Sequence, residues 1–283
     1  MTDARPGSLP IVLLHALPLG SAMWRVQAEA LRARGHTVLT PDQRGFGATP
    51  LGTEPPSLDT VADDLAALLD ERGIQDVALA GCSMGGYVAM AFLRRYPGRV
   101  RALALFATRA AADTLDAAAE RRKFADLMLD DTLRHQLVSR TTPLLLGAGT
   151  RANRPELVDE VVAMATAAAP EAVAWAQRAI AARPDSLAVL RATDVPAVVV
   201  TGAEDELVTV QEAASTSDAL PHGRLVTVPG AGHLQPLEAP DQVTDLLTTL
   251  LDDAITADWN RTHADEGSRI LGTHGIDRSR LHP

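Results

Sequence analysis

The chain is poor in the residues that would suggest several common roles. One cysteine, Cys82, occurs among 283 residues, so an intramolecular disulfide is excluded and a reducing, cytoplasmic setting is expected. Aromatics make up 3%, which leaves the core to Ala, Val and Leu. Basic residues are outnumbered, 26 Lys and Arg against 36 Asp and Glu, for a formal net charge of −10. Without a basic stripe, neither nucleic acid nor an anionic membrane is an expected partner. No uninterrupted apolar run approaches the roughly 20 residues that span a bilayer. Residues 9–19, LPIVLLHALPL, come nearest to a targeting segment. Pro10, His15 and Pro18 interrupt that run, and Asp3 accompanies the single Arg5 ahead of it, unlike a secretory leader. His135, His222, His263, His274 and His282 show no metal-ligand spacing with Cys or carboxylates, so no metal is expected.

What is present is the balance of a globular domain, 46% hydrophobic and 22% charged. Short apolar runs without polar alternation predict strands at 10–14, 37–40, 77–80, 102–106, 197–201 and 225–228. Such runs suit a parallel sheet covered on both faces. Between them, amphipathic patterns predict helices at 23–34, 57–71, 84–95, 210–220 and 240–254, with Gly73 a C-cap for the second. The repeated order of strand, helix and strand predicts βαβ units. From about 110 to 193 no strand pattern occurs. The Ala-rich helical pattern there, punctuated by prolines, predicts about four helices inserted as a cap. The domain reading is therefore a core at 1–109 and 194–256, a helical cap at 110–193, and a polar C-terminal tail at 257–283, expected on the surface or partly disordered.

The sharpest local signal is Gly81-Cys82-Ser83-Met84-Gly85, a G-x-S-x-G pattern between an apolar strand and a helix. A serine on so sharp a turn has strained backbone angles, and glycine at 81 and 85 removes Cβ atoms that would collide. The turn also places Ser83 at a helix N-terminus, where free N–H groups favour negative charge. Serine needs a base and an orienting acid to become a nucleophile. Both should lie beyond later strands, at the C-terminal edge of the sheet. The strand AVVVT runs into Gly202-Ala203-Glu204-Asp205, and LVTV runs into Pro229-Gly230-Ala231-Gly232-His233. Ser83 as nucleophile, Asp205 as acid and His233 as base follow in that chain order, with adjacent Glu204 the alternative acid. The backbone N–H groups of Met84 and Leu17 are the candidate oxyanion-hole donors, Leu17 belonging to the loop after the first strand. Cys82 reads as small buried filler pointing away from substrate. Phe124, Met128, Trp24 and Trp175 fit either a substrate pocket or helix packing, and none is assigned.

Five motifs in order, His15-Ala16-Leu17-Pro18, Pro41-Asp42-Gln43-Arg44-Gly45-Phe46-Gly47, Gly81-Cys82-Ser83-Met84-Gly85-Gly86, Gly202 to Asp205, and Gly230-Ala231-Gly232-His233, resemble the α/β-hydrolase superfamily over about residues 9 to 252. More narrowly the chain looks like cap-bearing bacterial members that act as carboxylesterases, enol-lactonases or C–C bond hydrolases. The resemblance implies an α/β-hydrolase fold with a mostly parallel sheet of about six strands flanked by helices. It also implies structural roles for Asp42 and Arg44 beside the active site. Two departures stand out. His15-Ala16 replaces the usual His-Gly, and too few residues precede the first strand for the antiparallel hairpin that commonly opens the fold.

The function expected is hydrolysis of a small or medium carboxylic ester or lactone through an acyl-enzyme, without a cofactor. An Ala-rich cap implies an apolar pocket that favours such substrates over highly charged ones. The same triad in lyase or C–C cleavage chemistry is a second expectation, and a non-catalytic ligand-binding protein a third.

Overall fold

The structure, a computed structural model, describes residues 9–272, with side-chain surroundings described to residue 257. Six strands, β1 (Ile11–Leu14), β2 (Val38–Leu39), β3 (Val77–Cys82), β4 (Val100–Phe106), β5 (Ala197–Gly202) and β6 (Gly223–Val228), form one sheet in the order β2-β1-β3-β4-β5-β6. Every pairing is parallel. β1, β3 and β5 are buried at every position, as continuous Val, Leu and Ala runs require when helices cover both faces. β6 departs from that expectation. It is an edge strand and mostly exposed, with only Val228 fully buried. At the opposite edge β2 shrinks from the expected four residues to Val38 and Leu39, a short edge that offers little for unwanted pairing.

In the core the helices are α1 (Arg25–Ala33), α2 (Leu58–Glu71) and α3 (Met84–Arg95). Between β4 and β5 lie α4 (Leu115–Met128), α5 (Arg134–Thr141), α6 (Ala148–Asn153), α7 (Pro155–Ala167), α8 (Pro170–Ala181) and α9 (Leu187–Arg191), with no strand among them. The chain continues through α10 (Val210–Asp218), α11 (Gln235–Glu238) and α12 (Pro240–Gly272). Helix ends follow local chemistry. Ser57 accepts the Asp59 N–H to start α2, and beyond its end the Ile74 N–H returns to the Leu69 carbonyl, the six-to-one bond of a Schellman stop at Gly73. Thr209 and Glu212 form a reciprocal capping box at the start of α10. α12 runs past the expected end at 254 to Gly272, so helix takes up part of the segment expected as a tail. Residues 273–283 of that tail lie outside the described residues. Among the described residues no helix is long and apolar enough to cross a membrane.

The strand order fixes where a site can form. From β1 the chain turns one way to β2, and then crosses to the other side of β1 to form β3. At this switch point the loops leaving β1 and β3 diverge and leave a crevice beyond the strands' C-terminal ends. The loops after β5 and β6 open on the same edge. The core beneath is apolar to its centre, with Leu79 and Leu103 paired across β3 and β4 and both fully buried. Truncating Leu79 to Ala removes part of that centre. A loss of about 2–5 kcal/mol of stability is expected in urea unfolding followed by circular dichroism.

Candidate active site

Ser83 is the single residue between β3 and α3, and its backbone sits at φ 52°, ψ −112°, a conformation that side chains rarely adopt. Its own N–H still reaches the Phe106 carbonyl at 2.8 Å, so the ladder holds the strand in register up to the serine. Gly86 and Tyr87 N–H groups then bond the Ser83 carbonyl, starting α3. The flanking glycines are required by contact. A Cβ on Gly81 would lie 2.2 Å from the Gly85 carbonyl oxygen, and one on Gly85 would lie 2.2 Å from the Leu14 carbonyl oxygen. The collisions are thus with backbone, and the second ties the turn to β1.

The structure brings Ser83 and His233 to the wall of one cavity of about 390 Å³, within the usual range for a small-molecule site. His233 Nδ1 lies 2.9 Å from Asp205 Oδ2 and 3.1 Å from Oδ1, and both side chains are buried. Burial alone would raise the Asp205 pKa. The His233 hydrogen bond and charge, together with the N–H groups of Leu207 and Val208, outweigh it and hold the carboxyl below its ordinary value. An ionised carboxylate can only accept, so His233 Nδ1 is the donor in this pair. Glu204 is otherwise engaged, accepting the Gly149 N–H at the start of α6 at 2.8 Å. The structure therefore pairs Asp205, and not Glu204, with His233.

The oxyanion candidates also fall at this edge. Leu17 lines the cavity, and Met84 is the first residue of α3. Neither N–H finds an acceptor among the described residues. The Leu17 loop is anchored by His15, which is fully buried. The Gln43 N–H donates to His15 Nε2 at 3.0 Å, His15 Nδ1 faces the Ala16 carbonyl at 3.1 Å, and the Gln43 amide donates to the His15 carbonyl. Burial is the main cause that lowers the His15 pKa to about 4, against smaller raising effects from the Ala16 carbonyl and Asp42. Asp42 accepts the Ser21 N–H, and Arg44 clamps Asp64, Glu54 and the Leu51 carbonyl, the loop-holding contacts expected of them. Cys82 is buried, its thiol pushed well up by burial and then by Asp205 and Glu238, and it lies against the His233 carbonyl.

Sequence reasoning overlooked Glu238. Its carboxylate accepts the N–H groups of Gly232 and Leu234 on either side of His233, and also those of Gly147 and the Thr150 hydroxyl. With the His233 N–H on the Leu145 carbonyl at 2.9 Å, one carboxylate joins the histidine loop to the helical insertion. Nothing in the local pattern marks a Glu in the Gln-Pro-Leu-Glu turn for this task. Of the pocket candidates, Phe124 and Met128 line the cavity. Trp24 instead stacks edge-on against Phe106, and Trp175 donates to the Glu54 carbonyl. Leu, Val and Ile dominate the rest of the wall, but Arg109, Arg121, Gln177 and Tyr87 also line it, so the expected apolar pocket has a polar side.

The neutral, buried His15 carries a pH signature. Its folded pKa lies near 4 against 6.5 for the free side chain, so only the unfolded chain takes up a proton between them. Stability is full above pH 6.5 and falls as the pH drops toward 4. The loss is on the order of 3 kcal/mol. Urea unfolding at pH 7.5 and 4.5 should show this decline, and His15→Gln should reduce its slope.

The family model described as alpha/beta hydrolase fold matches residues 10–240. A thermophilic esterase from Thermogutta terrifontis, solved with malate bound, is 35% identical with a TM-score of 0.82, covering 87% of this chain and 90% of that one. The enol-lactonase from Burkholderia xenovorans LB400 is 26% identical with a TM-score of 0.79, covering 88% and 94%. Epoxide hydrolase 2 of Siraitia grosvenorii is 40% identical over 106 residues, covering 36% of this chain and 34% of that protein. The chain spans about a third of the length of this and several other curated relatives.

Proposed function

The chain belongs to the alpha/beta hydrolase fold family, and we propose that within it the protein is a serine hydrolase of small or medium carboxylic esters or lactones. The observation that carries this reading is the buried His233–Asp205 pair, whose histidine lines the same cavity as a serine held at φ 52°. In the proposed mechanism His233 Nε2 takes the Ser83 proton as Oγ attacks the ester carbonyl. The carbonyl oxygen becomes an oxyanion held by the N–H groups of Leu17 and Met84, the latter strengthened by the dipole of α3. His233 then protonates the leaving alkoxide, and the acyl group remains on Ser83. In the second half His233 activates water, which attacks the acyl carbon and releases the acid and the free serine. Asp205 keeps the imidazole in one tautomer and stabilises the imidazolium. The esterase and enol-lactonase likenesses support ester-type substrates.

p-Nitrophenyl esters of increasing acyl length test the reading. Wild type should turn them over, with a length optimum set by the cavity, and Ser83→Ala should lose about 10⁴-fold or more in kcat. Equal activity in the two proteins would remove Ser83 as nucleophile. No turnover by wild type would move the reading to lyase chemistry or ligand binding.

The choice of acid has its own test. Asp205→Asn should lower kcat by roughly 10⁴-fold by stranding the wrong tautomer, whereas Glu204→Gln should cost less than about tenfold, because it loosens only a helix cap. A larger loss from the Glu204 change would reverse the assignment.

A further inference from the structure

The cavity wall is charged in one sense only. Among the described residues its lining includes Arg109 and Arg121 beside His233, and no Asp or Glu, in a chain whose formal net charge is −10. The two guanidiniums do not arrive there independently. Asp113, its side chain 1% exposed, binds Arg121 Nε at 2.6 Å, Arg183 Nη1 at 2.9 Å and Arg109 Nη2 at 3.1 Å. Burial would raise the Asp113 pKa, but Arg121 and Arg183 overcome this and hold it below the ordinary range. Arg109 also meets Glu212 at 2.9 Å. Three guanidiniums thus share two carboxylates, and one positive charge is left over.

Residues of this arrangement on the wall keep donors unused. Arg183 is set aside, its guanidinium 4.0 Å from the centre of the Tyr87 ring, a cation–π contact. Arg121 uses Nε on Asp113 and Nη1 on the Gln177 carbonyl oxygen at 3.2 Å, leaving Nη2 without an acceptor among the described residues. Because Gln177 Oε1 is taken by Arg121, its amide nitrogen remains as a donor. The Tyr87 hydroxyl likewise has no partner among the described residues. A purely apolar ester would leave these groups desolvated and unanswered, which costs binding energy. A carboxylate would answer them, since planar guanidinium and carboxylate match in shape and charge.

We propose that Arg121 and Gln177, with Arg109 adding positive charge and Asp113 holding both arginines, form a carboxylate subsite in the cavity that Ser83 also lines, so that the substrate is an ester or lactone bearing a second, free carboxylate. The inference rests on the ester-hydrolase reading above and names its substrate class. The free carboxylate belongs to the acyl or to the alcohol part, and both place a negative charge against the same wall.

Paired substrates decide this. For the acyl side, mono-4-nitrophenyl glutarate is compared with 4-nitrophenyl pentanoate. For the alcohol side, 4-carboxyphenyl pentanoate is compared with phenyl pentanoate. In at least one pair the wild type should favour the carboxylate by tenfold or more in kcat/KM, and the favoured pair identifies the side. Arg121→Gln should lower that ratio at least tenfold, with Arg121→Lys restoring part of it. Ratios near one in both pairs, or a preference that survives Arg121→Gln, overturn the proposal. A second readout is independent of turnover. Glutarate should bind Ser83→Ala by calorimetry, and at least tenfold more weakly when Arg121→Gln is added. Full ester turnover by Ser83→Ala would sink the nucleophile assignment while the glutarate result still decided the subsite. If thermal melts show Arg121→Gln unfolded, Gln177→Leu replaces it in both measurements, and an unchanged ratio and affinity there count against the subsite.

Discussion

The site depends on a backbone held where few side chains allow it, at Ser83 between β3 and α3. A strand and a helix joined by one residue can meet only if the chain reverses within that residue, and the reversal brings three backbone segments into contact. The Gly81 Cα meets the Gly85 peptide, and the Gly85 Cα meets the Leu14 carbonyl. Local strain of this kind persists only when surrounding structure fixes both ends. Here the fixing is done by a six-residue buried strand on one side and a fully packed helix on the other. What the strain produces is a hydroxyl at the rim of the sheet, beside the start of a helix.

Three buried or half-buried carboxylates organise the surroundings of that hydroxyl, each with a different set of donors. Asp205 takes a histidine and two backbone N–H groups. Glu238 takes the N–H groups that bracket the same histidine and two donors from the helical insertion. Asp113 takes three guanidiniums. Carboxylates suit this work because each offers about four acceptor positions on a rigid plane, so one residue joins segments far apart in sequence. Charge-assisted hydrogen bonds of this kind are also stronger than neutral ones. They fix geometry where apolar packing alone would allow sliding.

The helical insertion contributes to both the frame and the chemistry. Its Leu145 carbonyl receives the His233 N–H, and its Phe124, Met128 and Gln177 line the cavity. His233 is therefore held partly by a segment whose other residues line the cavity. Loops that carry function on a rigid scaffold are common. In this fold the histidine loop is braced from two sides, and its position is coupled to the packing of the insertion.

The sequence by itself determined the order of the six strands and of the helices α1, α2, α3, α10 and α12, the turn carrying Ser83, and the loops after β5 and β6 that carry Asp205 and His233, whereas the insertion holds six helices and not the expected four or so. These are local facts: an apolar run with period-free burial, glycines where Cβ atoms cannot fit, and a required side chain a few residues past a strand. Edge strands and helix ends were less legible, because β6 reads as apolar yet lies exposed at the sheet margin, and α12 runs on where the pattern turns polar. Loop length favoured Asp205 in the sequence and left Glu204 as the alternative, since adjacent carboxylates look alike until their directions are known. The roles of Glu238 and Asp113, and the arginines on the cavity wall, came only from tertiary structure. The partners that tie these carboxylates to other parts of the fold, Arg183 for Asp113 and Gly147 and Thr150 for Glu238, lie far along the chain, and no spacing encodes which buried carboxylate will meet which distant donor.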